Sequence, residues 1–441
     1  MKNKKPSGLL QVLGVGFGIA ILVGNSVGIG ILRMPGTVAS YLNGEWAIIG
    51  LWLLGGALAL IGASIYAEAS AAYPYSGGPY TISSHVFGEG PGFTVGLCDW
   101  ILNIAGNAAT AIAASEYFIT LTDCSQSKAG VAALIIFVLS LIQWFGMHSS
   151  RLIQQTLSIL KMFGLLFLVG AFFMHSGTDH TVHSVSPVPQ LSPVGFFGAM
   201  VLAFRGVFFS YAGWNAPIYF AEENTDPVRS LPRSLIWGVV SITIIYVLVN
   251  IALLHLMPVS AIAGTKLAVA EGAQIVFGHD ARLIVTILSI IIVLSGLYPS
   301  ILFTPRIIFG MARSGIFFPF AERLNSYFIP GAALIASGII AIIFALSGTF
   351  EFVVAMATFL FLFIDTSVYT AALYARWTRK ADFPFHAPGY PVAHVFMILV
   401  NIALVVSIFI FSEDIRSSIY GGLIVLSTIP LYLVYKRMVH R

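Results

Sequence analysis

Charge is scarce in this sequence: Asp, Glu, Lys and Arg together make up 9% of 441 residues, against roughly 25% in an ordinary soluble domain. Cysteine is scarcer still. Cys98 and Cys124 stand alone, too few for a disulfide framework. Cys98 reads as buried and Cys124 as a free thiol in an outer loop. There is no Gly-Lys-Ser/Thr phosphate loop, which leaves an ATP-driven pump unsupported, and no convergent set of catalytic side chains that would make an enzyme. His175, His180 and His183 near Asp179 lack the compact spacing of a metal site, so they read as a solvated loop, with no metal and no cofactor expected. A net charge of +4 forms no basic patch, and no nucleic-acid partner is implied. The first apolar run is too long for a cleavable leader and lacks a small-residue cleavage site.

What the sequence has in abundance is apolar residues, 58% of the chain. No water-soluble core hides that much, so the solvent for most of it is lipid, at about 20 residues per crossing. Apolar stretches fall at 11–41, 46–72, 93–121, 130–147, 154–174, 194–223, 234–257, 282–312, 331–347, 350–377, 391–411 and 417–435, numbered here as spans 1 to 12. Twelve spans put both termini on one side. With that layout fifteen Lys and Arg residues collect at the side of the termini, and only Lys128, Lys266, Arg282 and Arg416 at the other. The bias places both termini in the cytoplasm and predicts an all-α, multi-pass protein of the cell inner membrane.

Two spans carry interruptions. Span 1 contains Gly24-Asn25-Ser26-Val27-Gly28-Ile29-Gly30 and then Pro35, and each glycine lowers helix stability by about 1 kcal/mol relative to alanine. Span 6 contains Ser210-Tyr211-Ala212-Gly213-Trp214-Asn215-Ala216-Pro217, where Pro217 removes a backbone donor and clashes with the preceding turn. Glycine-mediated helix packing is the plainer alternative, but it needs neither Pro217 nor the polar Asn25, Ser26 and Asn215. Unwound backbone at membrane depth is tolerated only where it faces protein or a water-filled cavity. Interruptions at matching places in two halves point to an inverted-repeat transporter. An odd number of spans per repeat inverts the second half. The expected organisation is a cytoplasmic N-terminus at 1–10, repeat 1 at 11–174 (spans 1–5), an extracellular loop at 175–193 and repeat 2 at 194–377 (spans 6–10). A cytoplasmic loop at 378–390, the two appended spans at 391–435 and a cytoplasmic tail at 436–441 complete it.

An amino acid offers a carboxylate and an ammonium, and broken helices offer a partner for each. The amides of Gly28, Ile29 and Gly30 open the second half of span 1, where free N–H groups suit a carboxylate. Carbonyls of Asn25 and Ser26 in span 1, and of Phe209 and Ala212 in span 6, suit the ammonium. Asn103, Asn107 and Thr110 fall near one face of span 3, and Asn215, Leu297, Tyr298 and Thr358 are further candidates for a side-chain pocket. Lys161 in span 5 is costly if it faces lipid, so it either points inward or snorkels to the inner surface. Arg33, Glu116, Arg205 and Asp365 are further intramembrane charges. Asp365 and Arg205 are expected as a structural pair. The other reading puts Asp365 or Glu116 against a cationic amino acid or amine.

The run Phe209–Asn215, continued by Glu222-Glu223-Asn224-Thr225-Asp226-Pro227-Val228-Arg229-Ser230-Leu231-Pro232, resembles span 6 of the amino acid–polyamine–organocation superfamily, nearest its L-type amino acid transporter branch. Gly24–Gly30 with Ile31 and Pro35 is similar to that family's first span. Tyr66, Glu68, Tyr73-Pro74, Gly77-Gly78 and Tyr80 resemble its motif after span 2, and Phe303-Thr304, Arg306, Phe309 and Arg313-Ser314-Gly315 the end of its span 8. The resemblance implies a five-plus-five inverted fold with two extra helices, helices 1 and 6 unwound at mid-membrane. It also implies sodium-independent transport of amino acids by alternating access, as exchange or proton symport. It makes Phe209 an outer lid and puts Lys161 where sodium-coupled relatives hold an ion, bridging the span 1 break and span 8. Cationic members tend to carry glutamate where this chain has Asn103, which favours neutral L-amino acids. Glu68, Glu222 and Arg229, with Glu223, Arg233 and Arg306, sit at the cytoplasmic span ends where an inner gate would close. Cys124 falls where animal heteromeric members join a partner glycoprotein. Its surroundings call for no obligatory protein partner, and the short termini favour a self-sufficient bacterial protein.

Overall fold

The computed structural model describes residues 9–122, 127–175, 195–265, 267–278, 281–347, 350–379, 381–411 and 415–439. Among them the chain is helical, with no strand beyond one isolated bridge between Leu13 and Asn224. Cys124, Asp179, His180, His183 and Lys266 lie outside the described residues; His175 caps the helix that precedes that stretch.

Helices occupy all twelve apolar stretches. Span 1 is α1 (Val15–Ser26) and α2 (Ile29–Tyr41); span 2 is α3 (Glu45–Ala72). A short helix α4 (Pro79–Phe87) precedes α5 (Glu89–Thr122), α6 (Lys128–Trp144) and α7 (Met147–Met174), which are spans 3 to 5. Span 6 is α8 (Gly195–Tyr211) followed by a 3-10 turn at Ala216–Glu223. Span 7 is α9 (Pro227–Leu256), and α10 (Val259–Ile262) and α11 (Ala268–Phe277) lie in the connection before span 8, α12 (Ala281–Arg313). The rest are α13 (Gly331–Ser347), α14 (Phe350–Trp377), α15 (Val392–Phe411) and α16 (Ile415–Val439). Among the described residues, nine helices are long and apolar enough to cross a bilayer, ten when the α1–α2 pair, bent by 48°, counts as one crossing. The remaining two, α6 and α13, are apolar but only 17 residues long.

The helices sort into a buried centre and a lipid-facing rim. α3, α5 and α12 are largely enclosed, whereas α16 is mostly exposed. On the rim, large apolar residues recur at helical spacing on the outer face: Leu134, Phe137 and Leu141 on α6, Ile335, Ile339 and Ile343 on α13, Leu399, Ile402 and Val406 on α15. Such stripes suit acyl chains. In the centre, α3 packs on α9, α5 on α12 and α6 on α13. Each pair joins spans five apart, the pairing expected where two five-span repeats meet about a shared axis.

Local chemistry places the elements around the breaks. Asp226 caps α9 by accepting the Arg229 N–H at 3.3 Å, with Pro227 at the first helical position, where its missing donor costs nothing. Upstream, Gly213 holds φ at +92°, a conformation L side chains avoid. It turns the chain out of α8.

Candidate functional site

The two interruptions face each other across one cavity of about 370 Å³. Its wall takes Asn25, Ser26, Gly28 and Gly30 from the first break, and Phe209, Ala212, Gly213 and Asn215 from the second, with Thr110 from α5. The breaks are also tied directly. The Asn25 side-chain amide donates to the Gly213 carbonyl at 3.0 Å. The Tyr246 hydroxyl of α9 lies 2.8 Å from the carbonyls of both Ser26 and Ser210, so one donor serves whichever loose end it faces. A Cβ on Gly30 would stand 3.0 Å from the Ser210 Cα. Only glycine lets the two breaks approach this closely.

The opening of α2 has no side-chain cap at its N-cap, Gly28. Its first amides, those of the Gly28-Ile29-Gly30 segment, therefore carry the partial positive charge of a helix N-terminus. The far end of α1 is the opposite case, a set of carbonyls of which only that of Val23 keeps a helical N–H, from Val27 at 3.0 Å. Lys161 takes them. Its side chain is fully buried, and its ammonium donates to the carbonyls of Val23 (3.2 Å), Gly24 (2.8 Å) and Val27 (2.6 Å). Three donors meet three acceptors. This excludes snorkelling. All three bonds go to span 1, so the expected bridge to span 8 is not formed among the described residues. From the same face of α7, the Ser158 hydroxyl donates to the Ala20 carbonyl at 2.7 Å.

Not every expected residue reaches the cavity. Tyr298 is fully buried away from the wall, and its carbonyl accepts from Gln143 at 2.6 Å. Asn107 is turned to the Thr304 hydroxyl at 3.3 Å. Leu297 is buried elsewhere, and Thr358 lines a small crevice beside Arg205. Asp365 and Arg205 form no pair. Asp365 accepts the Tyr66 hydroxyl at 2.5 Å, a neutral donor that spares it a buried cation, and it lies off the wall of the main cavity. Glu116 pairs with Lys128 at 3.1 Å, both partly exposed. Among the wall residues that were not anticipated are Asp99 on α5 and Tyr219 after the second break. Asp99 stood in the stretch before Asn103, and a carboxylate amid apolar span residues was the available signal.

Beyond the cavity lies a belt of ion pairs. Glu223 pairs with Arg306 at 2.7 Å with both side chains almost fully buried, Glu222 with Arg313 at 2.5 Å, and Glu68 with Arg376 at 3.0 Å. Glu68 also accepts the Ala387 N–H at 2.6 Å. Arg229 is not in this belt: it is exposed and sits 3.9 Å from Asp226, one helical turn away. The segment before α1 is tied to the same region. The amides of Val12 and Leu13 donate to the Glu223 carbonyl at 3.1 and 3.0 Å, Thr225 donates back to Leu13 at 3.0 Å, and Arg151 donates to the Val12 carbonyl at 3.0 Å.

A larger crevice, of about 530 Å³, opens between α4, α5, α14 and α16. Its Thr366, Ser367 and Thr370 hydroxyls are spent on carbonyls of their own helix, and no charged side chain lines it. It lacks the polar ends that a zwitterion needs.

The sequence profile of the family described as amino acid permease matches residues 8–434. The chain belongs to the amino acid permease family. Among its relatives, the serine/threonine exchanger SteT of Bacillus subtilis (strain 168) is 27% identical over 449 residues, covering 99% of both chains. The b(0,+)-type amino acid transporter 1 of Mus musculus is 26% identical, with 98% of this chain and 89% of the other covered. The large neutral amino acids transporter small subunit 2 of Rattus norvegicus is also 26% identical, over 71% of this chain and 58% of its own. This permease is thus a multi-pass membrane transporter of amino acids.

Proposed function

We propose that this permease moves neutral L-amino acids without sodium, by alternating access, exchanging one amino acid for another. The observation that carries the reading is the meeting of two opposite helix ends in one cavity. Uncapped amides at the start of α2 suit the carboxylate, and carbonyls around Ala212 and Asn25 suit the ammonium. Lys161 ties the broken end of α1 through three hydrogen bonds, at the place where an ion could otherwise sit. Exchange is preferred to proton symport. The SteT relative, named an exchanger, agrees with this. Phe209, on the cavity wall and 38% exposed, serves as the outer lid. The buried Glu223–Arg306 pair and the Glu222–Arg313 and Glu68–Arg376 pairs are the inner gate, closed in this conformation. Both termini face the cytoplasm of a bacterial inner membrane.

Purified protein in liposomes tests the reading. Uptake of labelled neutral amino acids should require unlabelled amino acid inside and survive replacement of sodium by choline. Uptake that collapses without sodium, or that ignores the internal amino acid, overturns it.

A further inference from the structure

We infer that Asp99 reads the substrate's side chain and selects amino acids whose side chain ends in a hydrogen-bond donor. The inference rests on the cavity being the amino acid site. Asp99 lies on the cavity wall at 2% exposure, with Asn103, Gly106 and Thr110 following it along one face of α5. Among the described residues no Lys, Arg or His pairs with it. Its neighbours are neutral donors: the Tyr219 hydroxyl at 2.9 and 3.0 Å from its two oxygens, and the Asn103 amide at 2.9 Å. Tyr219 is itself held by stacking on Phe303, ring centres 4.4 Å apart, so the donors are fixed and point at the carboxylate.

With Tyr219 and Asn103 donating to it, Asp99 is left as an acceptor toward the cavity. The same wall carries the apolar Leu102, Phe361 and Ile364. A substrate hydroxyl, amide or ammonium reaching this level satisfies a buried carboxylate. An aliphatic side chain of the same shape brings it no further donor, and an acidic one brings only more acceptors. The other acids named on sequence grounds offer no such service, since Glu116 has Lys128 and Asp365 lies off the wall.

The test uses isosteric pairs: threonine against valine, and lysine against norleucine, with affinity read from the shift in melting temperature of the detergent-purified protein. A donor met or missed by a buried acceptor predicts a preference of roughly 10- to 100-fold for the donor-bearing member of at least one pair. The pair that shows it distinguishes a hydroxyl from an ammonium. In Asp99→Asn, Tyr219 and Asn103 still need an acceptor, so the new amide turns its NH2 to the cavity and the preference falls to within about threefold. Equal affinities within both pairs in the unaltered protein overturn the inference, whether or not the variant folds. So does a preference that Asp99→Asn leaves intact. If no amino acid shifts the melting temperature at all, the transport reading fails, and this inference with it.

Discussion

Replacing Lys161 with alanine removes the side chain that reaches the Val23, Gly24 and Val27 carbonyls around the end of α1. The Val23 carbonyl keeps the Val27 N–H at 3.0 Å. The Gly24 and Val27 carbonyls lose the ammonium at 2.8 and 2.6 Å and have no other donor among the described residues. A buried acceptor left unpaired costs about 1–3 kcal/mol, so two of them destabilise this arrangement by about 2–6 kcal/mol. The penalty falls on the conformation that forms the cavity, because an α1 end free to move can find other partners. Even the lower figure reduces the binding-competent fraction by about 30-fold. Lys161→Ala should therefore weaken amino acid binding at least that much, with exchange in proteoliposomes falling in parallel. The same protein should melt at a lower temperature without ligand. Unchanged affinity and exchange in a correctly inserted variant would refute the role given to this side chain.

Two further substitutions separate the gate from the surface. Glu223→Gln leaves Arg306 buried without its anion, and breaking a buried pair costs about 3–5 kcal/mol. In a background lacking Cys98 and Cys124, a cysteine placed at Ala212 should then react faster with an impermeant thiol reagent from the cytoplasmic side; unchanged labelling would mean that this pair does not hold the inner side shut. Glu116→Gln removes a partner of Lys128 from a pair whose side chains are 43% and 62% exposed, so stability should move by no more than about 1 kcal/mol and exchange should persist. A large loss of exchange would place Glu116 in the transport path.

Much of the fold is legible in the sequence because lipid imposes a simple rule: runs of about 20 apolar residues cross, and interruptions need a reason. The breaks at Gly28 and Gly213 were readable on that ground. Lys161 was readable as a costly charge, and only the family resemblance directed it to the span 1 break, since neither spacing nor composition says which carbonyls a lysine will meet. The pairing of Asp365 with Arg205 failed for a related reason. Charge bookkeeping looks for an opposite sign, whereas the structure gives Asp365 a tyrosine hydroxyl from a helix far away in sequence. Tyr298 and Asn107 were misplaced because a helix rotation of one residue moves a side chain off a wall, and an apolar span holds too little periodicity to fix that angle. Tyr246 and the Val12–Leu13 tie escaped notice because their partners lie more than 200 residues away for Ser26 and Glu223, and nothing local marks them.

The central claim, that the amides opening α2 hold the substrate, is tested most directly at Gly28. Gly30 is a poor probe, since any side chain there strikes span 6. Gly28 is different: φ is −122°, and an added Cβ would meet nothing closer than the Ser26 carbonyl oxygen at 4.0 Å. Gly28→Val therefore puts bulk into the cavity without forcing the helices apart. The account predicts a protein that inserts and melts like the unaltered one but shows no amino-acid-induced rise in melting temperature, while Gly16→Val, at a position with nothing within 4 Å, keeps that rise. Full stabilisation of Gly28→Val by the same amino acids would contradict it.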